Sequence, residues 1–88
     1  MEEKEHYIVE AFQYGRLVFR CEVKKITTAN AMVKNLCKAA MKEKEDLMFS
    51  IYDKNALEIA NCDYLKEDNY YYYYDKRNDE FFRVEIKS

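Results

Sequence analysis

The spacing of the hydrophobic residues changes from a strand period to a helix period near Ala29, and that change does most to limit the fold. Over residues 16–25 apolar and polar residues alternate, as in a half-buried β-strand. The side that carries Leu17, Phe19, Cys21 and Val23 is expected to face inward, with Cys21 as buried as Cys37 of the helix that follows. From Ala29 onward the apolar spacing becomes three and four residues, which predicts an amphipathic helix capped by Thr27 or Thr28. Its apolar stripe is Ala29, Met32, Val33, Leu36, Cys37, Ala40 and Met41.

Several other segments have the alternation or the aromatic content of β-strands. They cover residues 6–13, 47–52, 57–62 and 80–87, with residues 70–74 as a further candidate and 63–69 as a polar connection. The single glycine, Gly15, stands where a tight hairpin needs a positive φ. We therefore predict a two-layer α+β fold, with one helix packed on a mainly antiparallel sheet, in the order ββαβββ or ββαββββ. This order is similar to that of β-grasp proteins.

Length and composition indicate one regular domain over residues 1–88, with residues 1–5 as a flexible N-terminus. The 88-residue chain has one Gly, no Pro and 16% aromatic residues, unlike a disordered protein. Its acidic start lacks the features of a signal peptide, and no apolar run reaches the roughly 18 residues of a membrane span. Three widely spaced cysteines suit free thiols in a reducing compartment. We expect a cytoplasmic protein without a membrane partner.

The residues that most enzymes need are scarce in this sequence. His6 is the only histidine, and its spacing from Cys21, Cys37 and Cys62 matches neither a nucleophile motif nor the short pairs of a structural zinc site. One glycine cannot build a phosphate-binding loop. We therefore expect no catalytic activity, no metal or other cofactor and no small-molecule substrate.

A single helix can cover one face of the sheet, so the other face is expected to remain open for a partner. Alternation places Ile8, Phe12, Val18, Met48, Tyr52 and Phe81 on that open face. Five adjacent tyrosines cannot all be buried on one side of a strand, and tyrosine is enriched at protein interfaces. The expected binding residues are Tyr70, Tyr71, Tyr72, Tyr73, Tyr74, Phe81, Tyr52 and Phe12, with Tyr71 and Tyr73 taken as exposed.

This surface predicts a small protein-binding module that acts on a protein partner or forms a homodimer. By analogy, small intracellular proteins without site chemistry include stoichiometric inhibitors and adaptors, such as blockers of host nucleases encoded by phages or mobile elements.

The distribution of charge supports an alternative function in nucleic-acid binding. Residues 1–42 carry eight basic and five acidic side chains, whereas residues 43–88 carry seven basic and twelve acidic ones. Lys34, Lys38 and Lys42 recur every four residues along one helix face. With Arg20 and Lys24 they could contact phosphates while tyrosines stack on bases. An ordinary solvated helix face explains the same lysines, and the net charge of −2 is unlike that of most dedicated nucleic-acid-binding domains.

Overall fold

The computed structural model describes residues 5–43 and 45–84, and it shows the predicted α+β fold. The described strands are β1 (Tyr7–Gln13), β2 (Arg16–Val23), β3 (Met48–Tyr52), β4 (Glu58–Leu65), β5 (Tyr70–Asp75) and β6 (Glu80–Arg83). Helix α1 (Ile26–Lys42) lies between β2 and β3 in the chain. Residues 1–4 of the N-terminus predicted to be flexible over residues 1–5 lie outside the described residues, as do residues 85–87 of the strand predicted over residues 80–87.

The strands form one sheet in the order β2-β1-β3-β4-β5-β6, and the five pairs are antiparallel. Because β1 lies between β2 and β3, those two strands are parallel to each other and α1 connects them, as in a split β-α-β unit. From β3 onward each strand pairs with the next one in the chain. A β-grasp sheet instead pairs its first and last strands in parallel, so the similarity is limited to the order of elements.

Helix α1 packs the predicted apolar stripe against the sheet. Ala29, Val33, Cys37 and Ala40 are buried, and Met32, Leu36 and Met41 pack around them. The predicted cap is wrong, because the helix begins at Ile26 and Thr27 and Thr28 lie inside its first turn. Lys25 is the N-cap residue and its side chain makes no capping hydrogen bond. Ile26 packs against the core, so tertiary contacts start the helix earlier than the threonines indicate.

Local irregularities change the facing of Leu17 and the bounds of the predicted fourth strand. Tyr14 and Gly15 both have positive φ, 51° and 80°, as in the predicted hairpin turn. A register shift at Ala11/Phe12 pairs Phe12 with Leu17, so Leu17 lies on the opposite side from Phe19 and is 51% exposed. Its predicted inward position is wrong because a bulge interrupts the alternation. Leu57 precedes β4 and is exposed, while β4 extends to Leu65 rather than ending near Cys62.

The tyrosine run forms a regular strand whose alternate side chains have different roles. Tyr71 and Tyr73 point toward α1 and are 0% and 3% exposed, so their predicted exposure is wrong. The Tyr71 hydroxyl donates to the carbonyl oxygen of Glu45 at 3.0 Å and accepts from the N–H of Leu47 at 2.9 Å. The Tyr73 hydroxyl donates to Asn30 Oδ1 near the start of α1. These two side chains therefore fasten β5 to the N-terminal part of the helix and to the segment that follows it.

Removing the Tyr71 hydroxyl is expected to destabilise the domain. The variant Tyr71→Phe leaves two backbone groups beside the core without their partner, which should cost about 1–3 kcal/mol of unfolding free energy. Urea unfolding followed by circular dichroism measures this loss. The control is Tyr70→Phe, since the Tyr70 hydroxyl makes no hydrogen bond to the described residues, and it should stay within about 0.5 kcal/mol of wild type. Equal losses in both variants would contradict the bridging role.

Alkaline pH is also expected to destabilise the fold through these tyrosines. Burial raises the pKa of Tyr73 to about 12 and also raises the pKa of Tyr71. In the unfolded chain both phenols ionise near pH 10, so the stabilisation is complete below about pH 10 and is lost as pH rises toward and through the folded-state pKa values. In that window each tyrosine should contribute a slope of about 1.4 kcal/mol per pH unit.

Urea unfolding at about pH 9, 10 and 11 measures this dependence. The slope should be shallower in Tyr73→Phe than in wild type. A pH dependence that is unchanged in this variant would show that the Tyr73 phenol is not protected from ionisation.

Candidate functional site

The sheet face opposite α1 carries no covering layer among the described elements. Strand register places its side chains in rows that cross the sheet. One row contains Leu17, Phe12, Met48, Asp63, Tyr72 and Arg83. The next contains Arg20, Glu10, Ser50, Asn61, Tyr74 and Phe81. Two apolar regions therefore lie on this open face, separated by polar side chains of β3 and β4.

The first region, here called the aromatic patch, comprises Tyr70, Tyr72, Tyr74 and Phe81 on β5 and β6. The rings of Tyr72 and Phe81 stack with centroids 5.3 Å apart and an angle of 11° between their planes. The Arg83 guanidinium lies 4.4 Å from the centroid of the Tyr70 ring. Phe81 is 63% exposed although its neighbours hold it in place. The patch thus presents aromatic area to solvent in a preorganised arrangement.

Hydrogen bonds from neighbouring turns orient two tyrosines of the aromatic patch. The Tyr74 hydroxyl donates to Asp79 Oδ1 at 2.8 Å, and the Tyr72 hydroxyl donates to Asp68 Oδ2. Both carboxylates lie in the turns that flank β5. Because these side chains are already oriented, a partner would lose less of its binding free energy in ordering them.

The second region lies at the β1–β3 end and contains a groove of about 530 Å³. Phe12, Met48 and Tyr52 supply its apolar lining, and Met48 is 51% exposed. Asp46 and Glu58 also line the groove. The apolar walls can hold an apolar side chain or the stem of a Lys or Arg, and the carboxylates can pair with a neighbouring cationic group.

Three carboxylates, here called the acidic strip, are Asp46, Glu58 and Asp63. Burial raises the pKa of Asp63, and the nearby charges of Glu58 and Asp46 raise it further. Burial also opposes ionisation of Glu58, but hydrogen bonds from Lys76 and Ser50 outweigh it and lower the pKa of Glu58. Within the described residues neither Asp46 nor Asp63 forms an ion pair. The strip therefore carries negative charge that the fold compensates at Glu58 but not at the other two carboxylates.

Six of the eight residues expected to bind a partner lie on the open face, four at one end and two at the other. Tyr70, Tyr72, Tyr74 and Phe81 form the aromatic patch, and Phe12 and Tyr52 line the groove. Tyr71 and Tyr73 belong to the core instead. Sequence reasoning missed Asp63, which it assigned to a connection. The alternation of Ala60, Cys62 and Tyr64 was the signal that β4 continues past this position.

The residues of the predicted basic surface do not lie on one surface. Arg20 is on the open face, where it pairs with Glu10 at 3.7 Å and Glu22 at 3.6 Å. Lys34, Lys38 and Lys42 are exposed on α1, in the other layer, and Lys24 follows the end of β2. The Lys34 ammonium lies 5.7 Å from the centroid of the Phe82 ring. Aromatic stacking on the open face and the helix lysines therefore cannot contact the same stretch of nucleic acid directly.

The three cysteines are free, and two of them touch in the core. Cys37 Sγ on α1 lies 3.4 Å from Cys62 Sγ on β4, and both residues are 0% exposed. The contact with Cys37 and burial raise the pKa of the Cys62 thiol. Cys21 was expected to be equally buried, but it is only partly covered because it lies on edge strand β2.

Metal-ligand clusters and membrane-spanning helices are absent from the described residues. Over residues 5–43 and 45–84, no three His, Cys, Asp or Glu side chains are grouped closely enough to hold a metal ion. The described part of the chain also contains no helix with the length and apolar character needed to cross a membrane. Comparisons with protein-family models, curated proteins and solved structures give no significant match. Function must therefore be argued from the open face itself.

Thiol labelling of the native protein should distinguish the cysteines. We expect a disulfide reagent to modify Cys21 at least about tenfold faster than Cys37 or Cys62, because it must reach a sulfur and react with its thiolate. Mass spectrometry of digested samples at successive times identifies the modified residue. Labelling in urea is the control, since all three should then react. Rapid native labelling of Cys37 would contradict the packing of α1 on β4.

Proposed function

We propose that this protein is a non-enzymatic binding module that engages another protein through its open sheet face. The observation that carries the proposal is the exposed and preorganised aromatic patch, above all the Tyr72–Phe81 stack. Exposed Met48 adds apolar surface in the second region of the face, at the groove. Aromatic residues and Met are enriched at interfaces, and large contiguous apolar patches are uncommon on monomers.

Charge on the open face favours a protein over a nucleic acid. Glu10 and Glu22 surround Arg20, and the acidic strip runs from the groove, which Asp46 and Glu58 line, to Asp63 beside the aromatic patch. Nucleic-acid binding depends mainly on basic side chains that neutralise phosphates. The helix lysines could supply such contacts, but they lie in the layer opposite the exposed aromatics. No specific arrangement in the described residues combines the two properties.

A binder of this kind acts stoichiometrically, as an inhibitor or an adaptor. The proposed protein partner sits on the open face, and the cytoplasm is the proposed compartment because Cys21, Cys37 and Cys62 are free thiols. A blocker of a host nuclease complex, encoded by a phage or mobile element, is one example of this class of protein, and it enters here by analogy alone.

Substituting Phe81 is expected to weaken partner capture strongly without unfolding the domain. Because its ring is 63% exposed, Phe81→Ala should cost little stability, yet at an interface hot spot it should weaken binding by about 2 kcal/mol or more, roughly thirtyfold. The assay is affinity capture from a nuclease-treated lysate of the source cell, followed by a Kd measurement with the purified partner. Lys38→Ala, on the exposed surface of α1, is the matched control and should retain capture.

Light scattering of the purified protein tests the case in which the partner is a second copy. A dimer that Phe81→Ala converts to a monomer also supports use of this face. Two results together would overturn the proposal. The wild type would be monomeric at high micromolar concentration, and Phe81→Ala would capture every protein that the wild type captures. Recovery that depends on nucleic acid and on Lys38 would support the alternative function.

A further inference from the structure

We infer that the open face recognises a basic segment of its protein partner, with a Lys or Arg side chain seated at the acidic strip and apolar residues on either side. This inference rests on the proposed function and adds the chemical character of the partner. Its basis is the charge balance of the open face combined with the positions of the two apolar regions.

The basic side chains on this face are already engaged within the protein. Arg20 pairs with Glu10 and Glu22, and Lys76 pairs with Glu58. The Arg83 guanidinium packs on the Tyr70 ring. The carboxylates of Asp46 and Asp63 have no ion-pair partner within the described part of the chain. The uncompensated charge is therefore negative, and it is complementary to a cation.

Asp63 stands between apolar neighbours in its row across the sheet. Met48 is its partner on β3, and Tyr72 is its partner on β5. A cation at Asp63 would thus lie between the exposed Met48 side chain and the stacked rings of Tyr72 and Phe81. Long Lys and Arg side chains match this setting because they combine an apolar stem with a charged end. Tyrosine faces next to the strip add a favourable cation–π environment.

The groove extends the same combination of chemistry toward β1. Its volume of about 530 Å³ is lined by Phe12, Met48 and Tyr52 together with Asp46 and Glu58. An apolar side chain of the partner can occupy the groove while a neighbouring basic side chain reaches the carboxylates. An extended peptide places alternate side chains on one side at about 7 Å intervals, so two such residues can contact the face together.

A second copy of this chain is a poorer occupant than a basic partner. A two-fold symmetric dimer uses the same surface on both subunits, so it would bring two acidic strips into one interface. Like charges in a partly desolvated interface oppose association. A basic partner instead replaces the solvent lost from Asp46 and Asp63 with an opposite charge.

Synthetic peptides test this inference without prior identification of the partner. The probe is a fluorescent ten-residue peptide in which Leu and Arg take turns at every second position, with Ser between them, so that both lie on one side of the extended chain. It is compared with peptides in which Gln or Glu replaces each Arg. We expect the Arg peptide to bind at least tenfold more tightly than the Gln peptide and the Glu peptide to bind most weakly. Fluorescence anisotropy gives the Kd values, and amide chemical-shift changes locate the peptide on the protein.

Paired charge variants connect this preference with the acidic strip. Asp46→Asn combined with Asp63→Asn should weaken binding of the Arg peptide about tenfold or more and leave binding of the Gln peptide unchanged. The matched control is Glu43→Gln combined with Glu67→Gln, which removes the same charge from exposed positions outside the open face. Circular dichroism and urea unfolding verify that both double variants remain folded.

The outcomes separate this inference from the proposed function. If all three peptides bind equally and Phe81→Ala weakens them all, the open face binds proteins but the preference for a basic segment is wrong. The inference is also overturned if the Arg peptide fails to bind, if its shifts map to α1, or if both double variants weaken it equally. Self-association strengthened by the Asp46 and Asp63 changes would identify a second copy as the occupant.

Discussion

The buried hydroxyl of Tyr71 is the contact on which the arrangement of the two layers depends. After α1 the chain must return to the sheet, and on this path the backbone groups of Glu45 and Leu47 lie beside the core. Such groups need hydrogen-bond partners, and one phenol supplies both an acceptor for Leu47 and a donor for Glu45. This contact fixes where β3 begins, so that β3 can pair with β1 and position the groove. Tyr73 provides the corresponding contact with Asn30 near the start of α1.

The same strand links the stability of the core to the display of the open face. Because side chains alternate along a strand, burying Tyr71 and Tyr73 requires that Tyr70, Tyr72 and Tyr74 point to the opposite side. Tyr73 fastens β5 to α1, Tyr71 fastens β5 to Glu45 and Leu47 after the helix, and the neighbouring turns hold the outer hydroxyls. The aromatic patch is therefore displayed from a fixed strand rather than from a mobile loop. A binding surface of this kind gains affinity through preorganisation.

The sequence predicts the helix and the strands in which hydrophobic residues recur regularly. It does not predict which side of the sheet a residue faces where that depends on strand register. The stripe from Ala29 to Met41 identifies α1, and alternation identifies most strands. Five identical side chains, however, contain no signal that tells which of them face inward, so Tyr71 and Tyr73 could not be assigned. The register shift at Phe12 depends on pairing between β1 and β2, which reversed the facing of Leu17. Asp63 resembled a loop residue because the open face of β4 is polar.

The two layers of the fold also separate basic from acidic side chains. In the sequence this separation is visible only as a basic excess in residues 1–42 and an acidic excess in residues 43–88. The lysines of α1 lie on one side of the sheet, and the acidic strip lies on the other. A cationic partner that approaches this molecule is therefore attracted to the open face and repelled from the helix layer. Such asymmetric fields steer association and fix orientation more than they add affinity. In the proposed complex, Lys34, Lys38 and Lys42 thus contribute to the direction of approach without touching the partner.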